Sequence, residues 1–240
     1  MDMTKDALQY VVGLRKAETL KINGDTYVDR DIKRVDYKLR ADAIEMNTLT
    51  SLVDYLKAGI DTMADQMLVQ VVSPTEVRLV SKLDDDRKRE RLVVVKALVP
   101  EFAYGRYLEQ ESFVIALLSK FKENNDRALL LKFAGTVKDE SITQYGDDGV
   151  TQKATVKVGV ASVENAVVPN PVTLQPFRTF VEVKQPESAF VFRMRQGEGR
   201  RVECAIFEAD GGAWKNEAMR SIKEYLQENL KELKQYTVIS

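Results

Sequence analysis

"SAFVFRMRQGEGRRVECAIF", residues 188–207, decides the fold. Phe190, Phe192 and Met194 alternate with Arg193 and Arg195, and Val202, Cys204 and Ile206 alternate with Arg201 and Glu203. A period of two belongs to strands with one buried face. The glycine-bearing QGEGR at 196–200 turns the chain back on itself, so the two runs form a hairpin. Its apolar face belongs to a core, where Cys204 serves as a small hydrophobe. Its other face carries Arg193, Arg195 and Arg201, with Arg200 at its edge. Four guanidinium groups near one hairpin can grip phosphates bidentately, on a nucleic acid or on a nucleotide ligand. The plainer outcome is ion pairing with Glu198, Glu203 and the acids of a neighbouring strand.

Working outward, further strands are expected at Phe177–Lys184, at Gln66–Val72, Val77–Leu83 and Arg91–Val99, and within the half-buried "VDYKLRADAI" at 35–44. The aliphatic runs "ALLLKFAGTV" at 128–137 and "VTQKATVKVGVA" at 150–161 also read as strands. Helices are expected at Met3–Lys16, at 49–58 after a polar Asn47 or Thr48 start, at Glu109–Lys122, and over a long amphipathic stretch from Ala213 to Gln235. Ser162–Gln175, with Pro169 and Pro171, reads as a surface connection.

Composition excludes more than it identifies. The chain has 36 basic and 37 acidic residues, so no global positive field draws it to nucleic acid or to an anionic membrane. No apolar run is long enough to span a bilayer. The start MDMTKDALQY lacks the basic then apolar pattern of an export signal, and a lone cysteine fits a reducing compartment, so a cytoplasmic location is expected. With no histidine and one cysteine, the usual zinc sites and His-based nucleophilic catalysis are ruled out.

The remaining motifs have bland readings. Asp84, Asp85 and Asp86 are consecutive, so an extended segment points them to different sides, and they read as a solvated turn. Glu182-Val183-Lys184, with Asp147 or Asp148 upstream, could make the carboxylate–lysine set of a magnesium nuclease if it sits on a strand. Asp210-Gly211-Gly212 reads as a turn that caps the last helix, and Trp214 as a packing anchor.

Several segments together carry a resemblance: "TLTSLVDYLKAG", "SFVIALLSKFKENN", "TVKVGVA" and "LQPFRTFVEVKQPESAFVFRMRQGEGRRVECAIFEADGGAW". Over about residues 48–230 the chain resembles the YfdQ-like proteins, an uncharacterised family of phages and prophages. The resemblance implies a phage or prophage protein made in the bacterial host cytoplasm, associated with genes for recombination and single-strand handling. It supplies no catalytic residues.

The expected fold is therefore α+β, with curved antiparallel sheets, three to four helices and a long C-terminal amphipathic helix. Residues 1–240 are expected to form one compact unit, with a division into two lobes near 162–176 as the alternative. The expected function is a non-enzymatic binding or assembly module, without cofactor or metal and without a membrane. It would act as a homo-oligomer, since exposed sheet edges need cover. Its expected ligand is single-stranded nucleic acid; a decoy that sequesters a phosphorylated small ligand and a magnesium nuclease are the competing readings.

Overall fold

The computed structural model describes residues 4–14, 17–22, 25–28, 40–61, 66–85, 87–136, 145–147, 152–158, 162–167, 170–198 and 201–240. The chain divides into two units, residues 1–40 and 41–240. In the first, α1 (Lys5–Gly13) starts at Thr4, whose hydroxyl accepts the Ala7 N–H, and is followed by the antiparallel pair β1 (Thr19–Ile22) and β2 (Asp25–Val28). None of the described side chains of α1 or β1 is buried.

The second unit is α+β, as the patterning predicts. Its first layer is a five-stranded sheet of order β14-β4-β5-β6-β3, made by β3 (Ile44–Met46), β4 (Met67–Ser73), β5 (Glu76–Ser81), β6 (Arg91–Lys96) and β14 (Tyr236–Ile239). The central β4-β5-β6 meander is antiparallel, whereas the edge pairs β14–β4 and β3–β6 are parallel. Parallel neighbours need a crossover. Helix α2 (Leu49–Ala58), capped by the Thr48 hydroxyl on Ser51 N–H at 3.1 Å, leads from β3 to β4, and α5 (Ala213–Asn229) leads into β14. Met67, Val69, Val71, Val77, Leu79, Val93 and Val95 point inward against Leu49, Leu52, Val53 and Leu56 of α2 and Ile222 and Leu226 of α5.

A second, four-stranded antiparallel sheet of order β11-β12-β13-β7 comprises β7 (Leu108–Glu109), β11 (Val172–Leu174), β12 (Ser188–Gln196) and β13 (Val202–Glu208). Its apolar face packs on α3 (Gln110–Lys120) and α4 (Asn125–Thr136). Phe190, Phe192, Met194, Val202, Cys204 and Ile206 all lie in this core, as their alternation requires. A three-stranded antiparallel sheet of order β10-β9-β8 joins Tyr145–Asp147 (β8), Gln152–Val158 (β9) and Ser162–Val167 (β10). No helix among the described residues is long and apolar enough to cross a membrane.

Four sequence expectations change. Residues 128–137 lie largely in helix α4, not a strand. Arg127, Leu130, Phe133 and Ala134 are its buried positions, a three-to-four spacing that an aliphatic run conceals. The Asn124 side chain accepts the Arg127 N–H at 2.8 Å, and the Arg127 guanidinium donates to the carbonyls of Leu117 and Leu118 at 2.8 Å each. A positive charge thereby closes the C-terminal end of α3.

The expected connection 162–175 contains β10 and β11. The expected strand 177–184 is instead an irregular buried loop, because Arg178, Thr179 and Phe180 are buried in succession and no alternation survives. The long C-terminal helix ends at Asn229, and its expected last residues give way to a turn leading into β14. The strand read at 35–44 falls largely outside the described residues, as do Asn23, Gly24, Asp86, Asp148 and Pro169.

The loop is anchored like a core element. Phe180, 1% exposed, enters the core beneath the five-stranded sheet. The Gln185 amide satisfies the backbone that no strand satisfies: its oxygen accepts the N–H groups of Arg178 and Thr179, and its nitrogen donates to Phe180 O. Phe180→Ala is expected to cost about 3–5 kcal/mol in urea unfolding, the cost of emptying a core site rather than of trimming a surface loop.

Candidate functional site

The outward face of the β12–β13 hairpin is built by register. Arg195 stands directly opposite Glu203, and Glu203 stands opposite Glu109 of β7. Two carboxylates facing each other across strands repel. Each is met by a guanidinium: Arg195 Nε donates to Glu203 at 2.7 Å, and Arg201 Nη1 donates to Glu109 at 2.8 Å. The Arg195 guanidinium also lies over the Tyr107 ring, 4.0 Å from its centre, and Tyr107 in turn meets Phe207 edge-on. Gly197 lies close beside this pair: a Cβ there would stand 2.5 Å from the Glu203 carboxylate and would push that side chain aside.

The two ion pairs border an open depression of about 820 Å³ whose charged lining residues are Glu109, Arg195, Glu198, Arg201 and Glu203. Arg195 and Arg201 therefore come together, as expected. Arg193 takes another course: its Nη1 donates to Phe192 O at 3.0 Å, and it does not line the depression. Arg200 lies outside the described residues. Three glutamates outnumber two arginines among the described lining residues, so the depression carries no positive field of its own. The arginine side chains remain 57% and 68% exposed. Exposed ion pairs of this kind hold by about 0.2–1 kcal/mol, so a ligand phosphate or carboxylate can replace a glutamate at small cost.

A second polar centre was not legible from spacing. Arg178, 7% exposed, donates from Nη1 to Glu208 at 3.0 Å and from Nη2 to the Ser188 hydroxyl. Its guanidinium stacks 3.9 Å from the Trp214 ring centre, so Trp214 is a packing anchor for a cation. Arg178 Nε and the Trp214 indole N–H have no acceptor among the described residues. Burial pulls the Arg178 pKa down, while Tyr104, Glu208, Asp210 and Glu217 push it up. Arginine stays charged through such shifts. Burial also pushes the Tyr104 phenol up to about 12, against the opposing pull of Arg178.

The Ser188 hydroxyl in turn donates a hydrogen bond to the Asp210 carboxylate at 2.5 Å. Burial alone would raise Asp210; hydrogen bonds from Ser188 and from the Gly212 and Trp214 N–H groups, together with Arg178, outweigh it and hold the carboxyl below its ordinary value. Gly211 and Gly212 have φ of +62° and +81°, which L side chains avoid, and this turn lets Asp210 reach the start of α5.

The other sequence candidates serve structure. Glu182 lies in the buried loop rather than on a strand, and its Oε1 accepts the Thr50 N–H at the start of α2. Its Oε2 has no partner among the described residues. This placement removes the strand geometry on which the nuclease reading of Glu182 and Lys184 rests. Asp84 closes its own turn, its carboxylate accepting the Lys88 N–H at 2.7 Å. Burial pushes the Cys204 thiol up to about 12, so its thiolate is scarce at neutral pH. Among the described residues no group of three or more Cys, His, Asp or Glu side chains is placed to hold a metal. Comparison of the chain with protein-family models, curated proteins and solved structures finds no match.

Arg178→Met is expected to cost about 3 kcal/mol in urea unfolding, since it removes the guanidinium donor from Glu208 and Ser188 together. Arg178→Lys should recover little of this, because an ammonium cannot fork between two acceptors while stacking. The depressed Asp210 pKa stabilises the fold above the ordinary aspartate value near 3.9, and that contribution fades as pH falls through the lower folded value. The Tm difference between the protein and Asp210→Asn should therefore be widest at pH 7 and shrink below about pH 4.

Proposed function

We propose that the protein is a non-enzymatic assembly module that works as a homo-oligomer, of the phage or prophage kind its resemblance suggests. One observation carries this reading. Leu8, Tyr10, Val11, Val12, Leu14, Leu20, Ile22, Tyr27 and Val28 are all exposed within residues 8–28. Leu8, Val11 and Val12 share one stripe of the nine-residue α1, a length that is marginal in water without a cover. A contiguous apolar stripe on a surface element marks an interaction site. A second copy supplies the cover in this reading.

The second reading is a phosphate-bearing ligand on the hairpin, single-stranded nucleic acid above all, and it is favoured by the Arg195–Tyr107 stack. An aromatic ring beside exposed guanidinium groups is a platform for a base and its phosphate. The glutamates around it weaken this reading relative to assembly.

Light scattering of the full chain should give a mass that is a multiple of 27.2 kDa, falling to 27.2 kDa for Leu8→Glu with Val12→Glu. A monomer at high micromolar concentration would refute the assembly reading. Fluorescence anisotropy with a labelled oligothymidylate at low salt tests the second reading: binding should fall steeply with salt and at least ten-fold for Arg195→Ala with Arg201→Ala.

A further inference from the structure

The free edge of β14 meets the C-terminal end of α5 in a groove that neither reading above uses. β14 is the terminal strand of its sheet, and among the described residues no strand pairs with its outer side. Met67 N–H donates to Gln235 O at 2.9 Å, and Met67 stands opposite Tyr236 in the parallel register. A parallel ladder alternates, so Gln235, Thr237 and Ile239 turn their amides toward β4. The carbonyl of Tyr236 and both amide groups of Val238 then face outward, while Tyr236 N–H is already taken by Leu233 O.

Beside this edge lies a groove of about 330 Å³. Leu230, Leu233, Tyr236 and Val238 supply its apolar surface, and Lys231 and Lys234 supply its charge, with no acid in the lining. Lys231 pairs with Glu228, at 2.8 Å in the last turn of α5, and both side chains are exposed, so water screens the pair. The edge also lacks the usual protection. β14 contains no proline and no charged residue, and no described strand pairs with its outer amides.

We propose that this edge accepts an extended, acidic segment of a partner protein as a sixth strand. The outward amides of β14 would bond its backbone, alternate side chains would enter the groove between α5 and β14, and its carboxylates would meet Lys231 and Lys234. The charge of the lining selects an acidic segment over a basic one, and the unpaired edge selects an extended one over a helix. The site is independent of the apolar stripe in residues 8–28 and of the arginine hairpin.

The test uses the full chain and two labelled ten-residue peptides of the same alternating valine pattern, one with glutamate and one with lysine at the intervening positions. Anisotropy should show saturable binding of the acidic peptide, at least ten-fold tighter than the basic one. Val238→Pro removes the outward N–H but no bond to β4, so it should weaken the acidic peptide at least ten-fold while leaving the mass unchanged. Lys231→Glu with Lys234→Glu should abolish or invert the charge preference, which keeps the test open should the proline variant fold poorly. Equal binding of the two peptides, or binding indifferent to both variants, would overturn the proposal. So would the absence of peptide binding combined with a Val238→Pro variant of reduced mass, which assigns the edge to a second copy.

Discussion

The buried guanidinium of Arg178 joins the parts of residues 41–240 that the chain keeps far apart. It sits on the loop after β11, bonds to Ser188 on β12 and Glu208 on β13, and stacks on Trp214 at the start of α5. The first two belong to the four-stranded sheet, whereas α5 packs on the five-stranded sheet. One cation therefore fixes the point at which the chain leaves one sheet to complete the other. Desolvating a charge is costly unless it is paired, and here a carboxylate and a hydroxyl accept from the two Nη groups while an aromatic face covers the cation. The same loop is held on its other side by Thr179, whose hydroxyl donates to Pro74 O at 2.5 Å in the β4–β5 turn.

This arrangement explains why a stretch without regular structure can be buried. A loop inside a protein must find partners for every amide, and the Gln175 and Gln185 side chains take that task. Phe180 then contributes to the core as a strand residue would. The closing segment α5–β14 depends on this junction, because its first turn is set by Asp210 and by the Trp214 ring under Arg178. The groove along β14 is thus a consequence of how the chain is brought back to the first sheet.

The hairpin shows the same physics in the exposed regime. Arg195 and Arg201 offset two glutamates that the register forces face to face, and water keeps these pairs weak. Arg178 and Arg195 both stack on an aromatic ring, yet one is buried and structural while the other is open to exchange.

What the sequence by itself determined were the elements whose pattern is local: the hairpin 188–207 with its apolar face, the β4-β5-β6 meander, helix 49–58 with its four buried positions, and the α+β class. Strict alternation and clear capping leave one period as the only way to hide the apolar side chains. The face on which Arg195 and Arg201 lie was equally legible, because parity along a strand needs no partner. Tertiary structure decided the rest. The run after Asn124 is helical because Phe133 and Leu130 find one core, and the last residues form a strand because β4 offers an edge. Arg178 became central because Glu208, Ser188 and Trp214 converge from 10 to 36 residues away, and side chains brought together by folding leave no periodic trace in the chain.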